Sequence, residues 1–270
     1  MTDTAQDLRP FAVVTGGSNG IGFELGRQFA EHGYDLVIAA EDEPHLQEAA
    51  QALRQAGDGK VEICAVDLST QQGVEKLYQD LQGLGRPVDV LCVNAGVGLG
   101  GAFVETDLER EIAMINLNIT GAVHLTKLVL KDMVACDRGK ILFTSSIAAT
   151  MPDPFEAVYG GTKVFLRWFG EALRNELKDT GVDVTVLMPS VTATNFFARA
   201  EMLDTKAGAM KSKDDPAVVA KAAFEGLMED RDKVVPTAKN KMMAASAEMM
   251  PDTAAAQVHR GLSEPGSGQG

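Results

Sequence analysis

The sequence predicts one α/β domain built on a single doubly wound parallel sheet of about seven strands flanked by helices. Short runs rich in β-branched residues alternate along the chain with longer segments whose apolar residues recur at helical spacing. The short runs are apolar almost throughout, which is typical of strands buried on both faces. At 270 residues the chain is long enough for one large core, and its middle contains no proline-rich or glycine-rich linker.

The predicted elements follow one another in strand-then-helix order. The strands cover residues 11–15, 35–40, 61–66, 89–93, 140–144, 182–188 and 233–235, and the helices cover residues 20–32, 44–55, 71–82, 119–135, 157–178 and 216–229. Crossovers in such sheets are right-handed, and ligands bind beyond the carboxyl ends of the strands. Residues directly after each strand are therefore the candidates for a functional site.

The predicted domain extends from residue 1 to residue 260, and no internal repeat divides it further. Residues 261–270 are rich in glycine and serine and poor in apolar side chains. Such a segment cannot offset the entropy cost of its own ordering, so we predict a disordered tail there.

Charge and cysteine content argue against several classes of function. The chain has 25 Lys and Arg against 38 Asp and Glu, and its net charge of −13 repels nucleic-acid phosphates and anionic membrane surfaces. Cys64, Cys92 and Cys136 are odd in number and lack metal-ligand spacing, which indicates free thiols in a reducing compartment. The chain has no uninterrupted apolar run of about 18 residues and no signal-peptide pattern at its start. We expect a soluble cytoplasmic protein with no metal, nucleic-acid or membrane partner.

A glycine-rich turn joins the first predicted strand to the first helix. Its small residues let the backbone approach a phosphate, its free amides point from a helix N-terminus, and Ser18 adds a hydroxyl donor. The turn is predicted to bind the pyrophosphate of a dinucleotide, the alternative being a tight turn that binds nothing. Its candidate residues are Gly16, Ser18, Asn19, Gly20, Ile21 and Gly22.

An acidic pair follows the second predicted strand. Glu41 lies about 20 residues beyond the glycine turn, where a carboxylate can hold a ribose diol. A 2′-phosphate would be repelled there, and neither Asn19 nor residues 41 and 42 supply a cation, so NAD is favoured over NADP. The alternative is that Glu41 and Asp42 only begin a solvated helix, where acids suit the helix dipole.

Tyr159 and Lys163 are four residues apart in a predicted helix, so they share one face. A nearby ammonium favours the phenolate and is expected to lower the tyrosine pKa, which suits an acid or base at neutral pH. Ser146 follows the fifth strand, where its hydroxyl can hold a substrate oxygen. The alternatives are a surface packing pair for Tyr159 and Lys163, and helix capping for Ser145 and Ser146.

These motifs together resemble the short-chain dehydrogenase/reductase family, in its single-domain form with a Rossmann-type sheet. The resemblance covers about residues 11–236 and includes the patterns Thr-Gly-x-x-x-Gly-x-Gly and Tyr-x-x-x-Lys. It implies that Ser146 positions the substrate oxygen, Tyr159 transfers its proton, and Lys163 holds the nicotinamide ribose and lowers the tyrosine pKa. It also implies that Asn118 continues a proton relay, because Asn118-Ile119-Thr120-Gly121 fits the family's Asn-x-Thr-Gly better than Asn116 does.

The resemblance assigns further cofactor contacts. They are Asp67 and Leu68 after the third strand, Asn94, Ala95 and Gly96 after the fourth, and Pro189, Val191, Thr192 and Thr194 after the sixth, besides Tyr159 and Lys163 themselves. The chain departs from the family at Val93, Ser190 and Thr192, where Asn, Gly and Val are usual. None of these departures removes a reactive group.

Residues 195–213 are interpreted as a substrate lid with an apolar inner face and Gly208 as its hinge, or equally as a surface helix. Members of the family are commonly dimers or tetramers whose subunits meet through two long helices, which correspond here to residues near 107–135 and 157–178. The resemblance therefore implies a homodimer or homotetramer. His124 and Trp168 lie on these helices, where packing is favoured over catalysis. A methionine-rich segment near residues 242–250 is interpreted as packing on the chain's own sheet, or as a subunit contact.

The predicted function is an NAD(P)-dependent oxidoreductase that transfers a hydride between a nicotinamide cofactor and a secondary alcohol or ketone. The apolar residues of the lid favour a hydrophobic small-molecule substrate. The alternative is a non-catalytic dinucleotide sensor, which would keep the glycine turn but has no need of Ser146, Tyr159 and Lys163 together.

Overall fold

A computed structural model describes residues 9–269 of the chain. Seven parallel strands form one sheet in the order β3-β2-β1-β4-β5-β6-β7. The strands are β1 (Phe11–Thr15), β2 (Asp35–Ala40), β3 (Val61–Ala65), β4 (Val90–Val93), β5 (Gly139–Thr144), β6 (Val182–Leu187) and β7 (Lys233–Val234). The predicted fold class is confirmed, and the strand order reverses between β1 and β4, where a crevice opens at the carboxyl edge of the sheet.

Eleven α-helices surround the sheet within the described residues. They are α1 (Gly20–Glu31), α2 (Glu43–Ala56), α3 (Gln71–Gly83), α4 (Leu108–Ile115), α5 (Ala122–Ala135), α6 (Ala157–Glu176), α7 (Phe196–Arg199), α8 (Lys206–Ala209), α9 (Pro216–Met228), α10 (Ala238–Met249) and α11 (Asp252–Ser263). Helices α3, α5 and α6 pack on one face of the sheet, and α1, α2 and α9 pack on the other. The strands are apolar on both faces because both faces are covered.

Helices α4 and α5 form one continuous helical segment. Residues 116–121 between them adopt a π-helical turn, so the helix begins at Leu108, earlier than residue 119 as predicted. Residues 108–135 are long and apolar enough to cross a membrane by length and composition alone. Leu125, Val129 and Met133 of this segment are buried in the core of the sheet, so the fold already uses part of its apolar surface.

The predicted disordered tail is wrong for most of its length. Helix α11 continues through Gly261 to Ser263, and a short 3-10 turn follows at Ser267–Gln269. Ser263 is buried and donates a hydrogen bond to Glu156 Oε2 over 2.6 Å, while Gly266 N donates to Asp204 Oδ2. These tertiary contacts offset the entropy cost of ordering the segment, which its own composition could not offset. Residues 1–8 of the predicted domain and residue 270 lie outside the described residues.

Candidate active site

The glycine turn has the conformation of a phosphate cradle. Gly16 and Gly20 adopt left-handed backbone conformations, with φ of +67° and +57°. At Gly22 an added Cβ would lie 2.5 Å from Asn94 Nδ2 and closer still to the carbonyl of Gly16. The turn therefore requires glycine for its path and for packing α1 against the sheet. The first amides of α1 are left free to bind an anion.

Hydrogen bonds join the ends of β1 and β4 below this turn. Asn94 Nδ2 donates to the carbonyl of Thr15 over 3.0 Å, and Ala95 N donates to Thr15 Oγ1 over 3.0 Å. Thr144 at the end of β5 donates to Asn94 Oδ1 over 3.1 Å. These bonds hold three strand ends together at the crevice.

The two acids after β2 have different environments. Asp42 caps α2, because its Oδ1 accepts a hydrogen bond from His45 N over 3.1 Å. Glu41 is exposed and lines the cavity described below. Arg199 of α7 lines the same cavity, and its charge helps to lower the pKa of Asp42 after the larger effects of His45. Helix capping therefore accounts for Asp42 but not for Glu41.

Tyr159 and Lys163 lie one turn apart on α6, as predicted. The Lys163 Nζ is 5.6 Å from the centre of the Tyr159 ring and donates to the carbonyl of Thr144 over 3.0 Å. Ser146 Oγ accepts a hydrogen bond from Ala148 N over 3.1 Å, so it caps the 3-10 turn Ile147–Thr150. Its hydroxyl also donates to the carbonyl of Pro189 over 3.5 Å, and its proximity to Tyr159 favours a lower pKa for that tyrosine. Ser146 is therefore both a helix cap, the alternative that the sequence left open, and a neighbour of Tyr159.

Asn118 lies in the π-helical turn and is fully buried. Its Oδ1 accepts from Val97 N over 3.0 Å, and its Nδ2 donates to the Val97 carbonyl over 2.9 Å and to Thr162 Oγ1 over 3.0 Å. A Cβ added to Gly96 would lie 3.2 Å from both Asn118 Oδ1 and Lys163 Nζ. Asn118 and Lys163 therefore both lie against Gly96, and π-turns of this kind often occur at functional sites.

Burial dominates the titration of the two central groups. The pKa of Tyr159 is raised, first by burial and then by the Glu156 carboxylate, while the hydrogen bond from Ser146 opposes the rise. Burial lowers the pKa of Lys163 to about 8. The expected lowering of the tyrosine pKa by Lys163 is therefore not observed, because burial disfavours both charged forms. Tyr159 is a neutral hydroxyl at physiological pH.

A cavity of about 540 Å³ connects the glycine turn to Tyr159. All of the predicted cofactor-binding residues line it: Gly16, Ser18, Asn19, Gly20, Ile21, Gly22, Glu41, Asp67, Leu68, Asn94, Ala95, Gly96, Tyr159, Lys163, Pro189, Val191, Thr192 and Thr194. Ser146 lines it too, whereas Asn118 lies behind Gly96 and is not part of its wall. The glycine cradle, an acid beyond β2 and the elongated cavity fit a dinucleotide, with its phosphates at the cradle and its reactive end near Tyr159.

The three departures from the family leave the geometry of this wall intact. Val93 is a buried residue of β4, where it contributes to the core. Thr192 is buried and donates to the carbonyl of Ser190 over 2.8 Å. It also pairs with Asp214 in an isolated bridge, which keeps the segment after β6 extended beside the cavity.

The predicted lid packs directly over Tyr159. The Phe196 ring centre is 5.1 Å from that of Tyr159, and Phe197 and Met202 form a small core of their own. Gly208, expected to be a hinge, is instead buried in α8, where an added Cβ would clash with the backbone of Met202. Close packing therefore explains this glycine.

The cavity also contains polar residues that the sequence analysis did not single out. Glu156 precedes Tyr159 by three residues, and His259 and Ser263 lie on α11. All three line the cavity and are at least nine-tenths buried. The sequence could have indicated Glu156 as a site residue, because this charged side chain lies among apolar neighbours three positions before Tyr159. Nothing local in the sequence pointed to His259 or Ser263.

Comparisons with known proteins agree with this geometry. The family model for short chain dehydrogenase matches residues 10–203. An uncharacterized oxidoreductase from Staphylococcus saprophyticus is 32% identical over 218 residues, which cover 81% of this chain and 91% of that protein. The very-long-chain 3-oxoacyl-CoA reductase of Mus musculus is 32% identical over 191 residues, covering 69% of this chain but only 61% of the mouse protein. Among solved structures, a short-chain dehydrogenase from Sphingobium yanoikuyae in complex with NADPH is 26% identical, with a TM-score of 0.81, covering 89% of this chain and 92% of that chain.

Proposed function

Since the chain belongs to the short-chain dehydrogenase family, we propose that it is an NAD-dependent enzyme that interconverts apolar ketones and secondary alcohols. That it is an oxidoreductase of this family using a nicotinamide cofactor is established by the family match and its relatives. The observation that carries the finer proposal is the convergence of Ser146, Tyr159 and Lys163 on one cavity that begins at the glycine cradle. A dinucleotide sensor has no need of this convergence.

The residues of the cavity have separate roles in this proposal. When bound, the nicotinamide supplies the hydride for ketone reduction or takes it up in alcohol oxidation. Ser146 holds the substrate oxygen by a hydrogen bond, and Tyr159 donates a proton to that oxygen or removes it. Lys163 binds the ribose beside the nicotinamide, and Asn118 and the Thr144 carbonyl orient it from behind. Phe196 excludes water from above.

The protonation state of Tyr159 suits a proton donor. Burial and the Glu156 carboxylate raise its pKa, so the hydroxyl is available as a proton donor at neutral pH. A donor is what ketone reduction requires, whereas alcohol oxidation requires the phenolate. We therefore propose that Tyr159 serves as the proton donor in ketone reduction at neutral pH.

Replacing Tyr159 by Phe tests the proposed acid. The variant is expected to lose at least about a hundredfold in kcat, the usual contribution of a positioned acid or base, while it still binds NADH. Tyr78→Phe removes the same hydroxyl from a surface pair with Asp132 and is the matched control. Turnover of an apolar ketone by Tyr159→Phe at the parent rate would show that the acid is another group.

Glu41 supports NAD as the cofactor. Its exposed carboxylate lines the cavity beyond β2, where it suits a ribose diol and repels a 2′-phosphate. Titration of NADH and NADPH into the parent and into Glu41→Arg should show tighter NADH binding by the parent and a shift towards NADPH in the variant. Tighter NADPH binding by the parent would overturn this assignment and leave Arg199 as the group that neutralises the phosphate.

A second substrate class is a 3-oxoacyl thioester. The mouse relative is named as a reductase of 3-oxoacyl-CoA, and two exposed cations, Arg199 and Lys239, line the cavity of this chain. Such cations suit the phosphates of a nucleotide-linked thioester. A kcat/KM for acetoacetyl-CoA that exceeds that for 2-decanone, and that falls in Lys239→Ala, would favour this class.

A further inference from the structure

A polar cluster interrupts the apolar substrate end of the cavity. Glu156 Oε2 accepts a hydrogen bond from Ser263 Oγ over 2.6 Å. His259 Nε2 lies 3.2 Å from Asp153 Oδ1 and 3.9 Å from Glu156 Oε2. Each of these four residues is at most 9% exposed, and all except Asp153 line the cavity. The C-terminal helix α11 thus contributes polar atoms close to the catalytic tyrosine.

The surroundings of this cluster are apolar. The walls next to it consist of side chains from the lid, α10 and α11, namely Phe196, Met210, Met243, Met250, Val258 and Leu262. Such walls bind an apolar body, and a few polar groups among them fix its orientation. A polar group of a bound molecule that reached this end of the cavity could contact Glu156, His259 and Ser263.

One polar atom of His259 lacks a hydrogen-bond partner among the described residues. His259 Nδ1 is buried and has no hydrogen-bond partner among residues 9–269. The carboxyl groups of Asp153 and Glu156 lie near Nε2, and a neutral imidazole has one ring nitrogen that donates and one that accepts. Burial lowers the pKa of His259, so the ring is neutral at physiological pH. An unsatisfied buried polar atom is costly, and a ligand hydroxyl, which can donate or accept a hydrogen bond, removes this cost.

The second half of the cluster offers donors. Burial raises the pKa of Glu156, which favours a protonated carboxyl group with a hydrogen to donate. A hydroxyl group is the ligand that donates one hydrogen bond and accepts another. An ammonium group can only donate, and its charge would be desolvated among the methionines.

We propose that His259, Glu156 and Ser263 form a subsite that binds a hydroxyl group of the substrate remote from the reacting carbonyl. The substrate is then an apolar ketone that carries a second, distal hydroxyl. This inference rests on the proposed function, because the reacting carbonyl is placed at Ser146 and Tyr159. It also gives α11 a role in substrate selection.

The test compares paired ketones that differ only in the distal group. We would measure kcat/KM with NADH for 2-octanone, 2-decanone and 2-dodecanone, each beside its ω-hydroxy derivative. For the chain length that spans the site, the hydroxy ketone should exceed its parent ketone by roughly tenfold, as expected for two hydrogen bonds to neutral groups. His259→Phe should reduce this ratio towards one. Glu156→Gln, which keeps the shape of the side chain, should reduce it partly, mainly through KM.

The matched control is His32→Phe, on the far side of the molecule against Phe224. It should leave the ratio as in the parent. A ratio that is equal in the parent and in His259→Phe would overturn the subsite while leaving the reductase activity standing. Preference for an ω-amino ketone over the ω-hydroxy ketone would also overturn it, because the site would then bind a cation.

Binding separates failure of the subsite from failure of the proposed function. If no ketone were turned over, the reductase proposal would fail, and calorimetric titration of the same pairs would still test the subsite. Tighter binding of the hydroxy ketones by the parent, lost in His259→Phe, would support the subsite on its own. Equal binding of both members of each pair would refute it.

Discussion

Two adjacent glycines in α6 provide a sharp test of the packing beside Tyr159. Gly160 faces Asp153, and a Cβ added there would lie 2.7 Å from Asp153 Cγ, whereas ordinary contacts span 3.4–4 Å. Gly161 is exposed, and a Cβ added there meets no atom within 4 Å. Gly160→Ala and Gly161→Ala are therefore the same chemical change one residue apart, with and without a steric clash.

The magnitude follows from two opposing effects. Replacing a helical glycine by alanine stabilises a protein by about 0.5–1 kcal/mol, and this term applies equally to both variants. Overpacking at a buried site costs about 1–3 kcal/mol. Asp153 is 7% exposed and must move to make room, together with its contact to His259. The free energy of unfolding of Gly160→Ala should thus be lower than that of Gly161→Ala by about 1–3 kcal/mol.

Equilibrium unfolding in urea, followed by far-ultraviolet circular dichroism, measures this difference. Gly161→Ala should be at least as stable as the parent, and Gly160→Ala should be less stable than Gly161→Ala. Equal stability of the two variants would refute the argument, because it would mean that Asp153 does not occupy the position above Gly160.

Three further predictions concern the cradle, the lysine and the outer surface. Gly22→Ala should lose most of its affinity for NADH in a fluorescence titration, because the added Cβ clashes with the backbone of the glycine turn. The control, Gly83→Ala, has open space around the added Cβ and should bind NADH as the parent does. Burial lowers the pKa of Lys163 to about 8 from 10.5, so the unfolded chain binds the extra proton between these values. The stability of the parent relative to Lys163→Met should therefore rise as pH increases from about 8 to about 10.5, and a difference independent of pH in urea unfolding would contradict this. Ile112 on α4 is 49% exposed and Trp168 on α6 is 58% exposed. If two copies of the chain associate through this apolar face, Trp168→Glu should lower the mass measured by sedimentation velocity. An unchanged mass would show that the contact between copies lies elsewhere.

The sequence predicted the sheet well because its signal is local. Each strand is a short apolar run, and the observed bounds agree with the predicted ones to within one residue at either end. The helical pattern placed the start of this segment at residue 119, whereas the resemblance implied a long helix near residues 107–135, which agrees with α4 and α5; the π-turn between them was not predicted. The tail was missed because the contacts that order it join Ser263 to Glu156, 107 residues away.

The grouping of the candidate site residues in one cavity was predictable for a topological reason. Glu41, Asn94 and Ser146 follow the ends of β2, β4 and β5, and parallel strands bring their carboxyl ends to one edge of the sheet. The proximity of these three residues follows from the order of the parallel strands alone. The electrostatics were not predictable in this way, since the raised pKa of Tyr159 depends on burial and on Glu156, neither of which the four-residue spacing encodes.

The polar cluster on α11 illustrates what remains beyond such reasoning. His259 reaches the cavity only because α11 packs against α8 and the lid, and Gly268 N and Gly266 N hold that packing through hydrogen bonds to Asp204. The proposed site of hydride chemistry lies at the carboxyl edge of the sheet, while the groups proposed to recognise the rest of the substrate belong to a segment that Asp204 holds in place. A change in Asp204 is therefore expected to alter substrate choice without altering the residues that touch the reacting carbonyl.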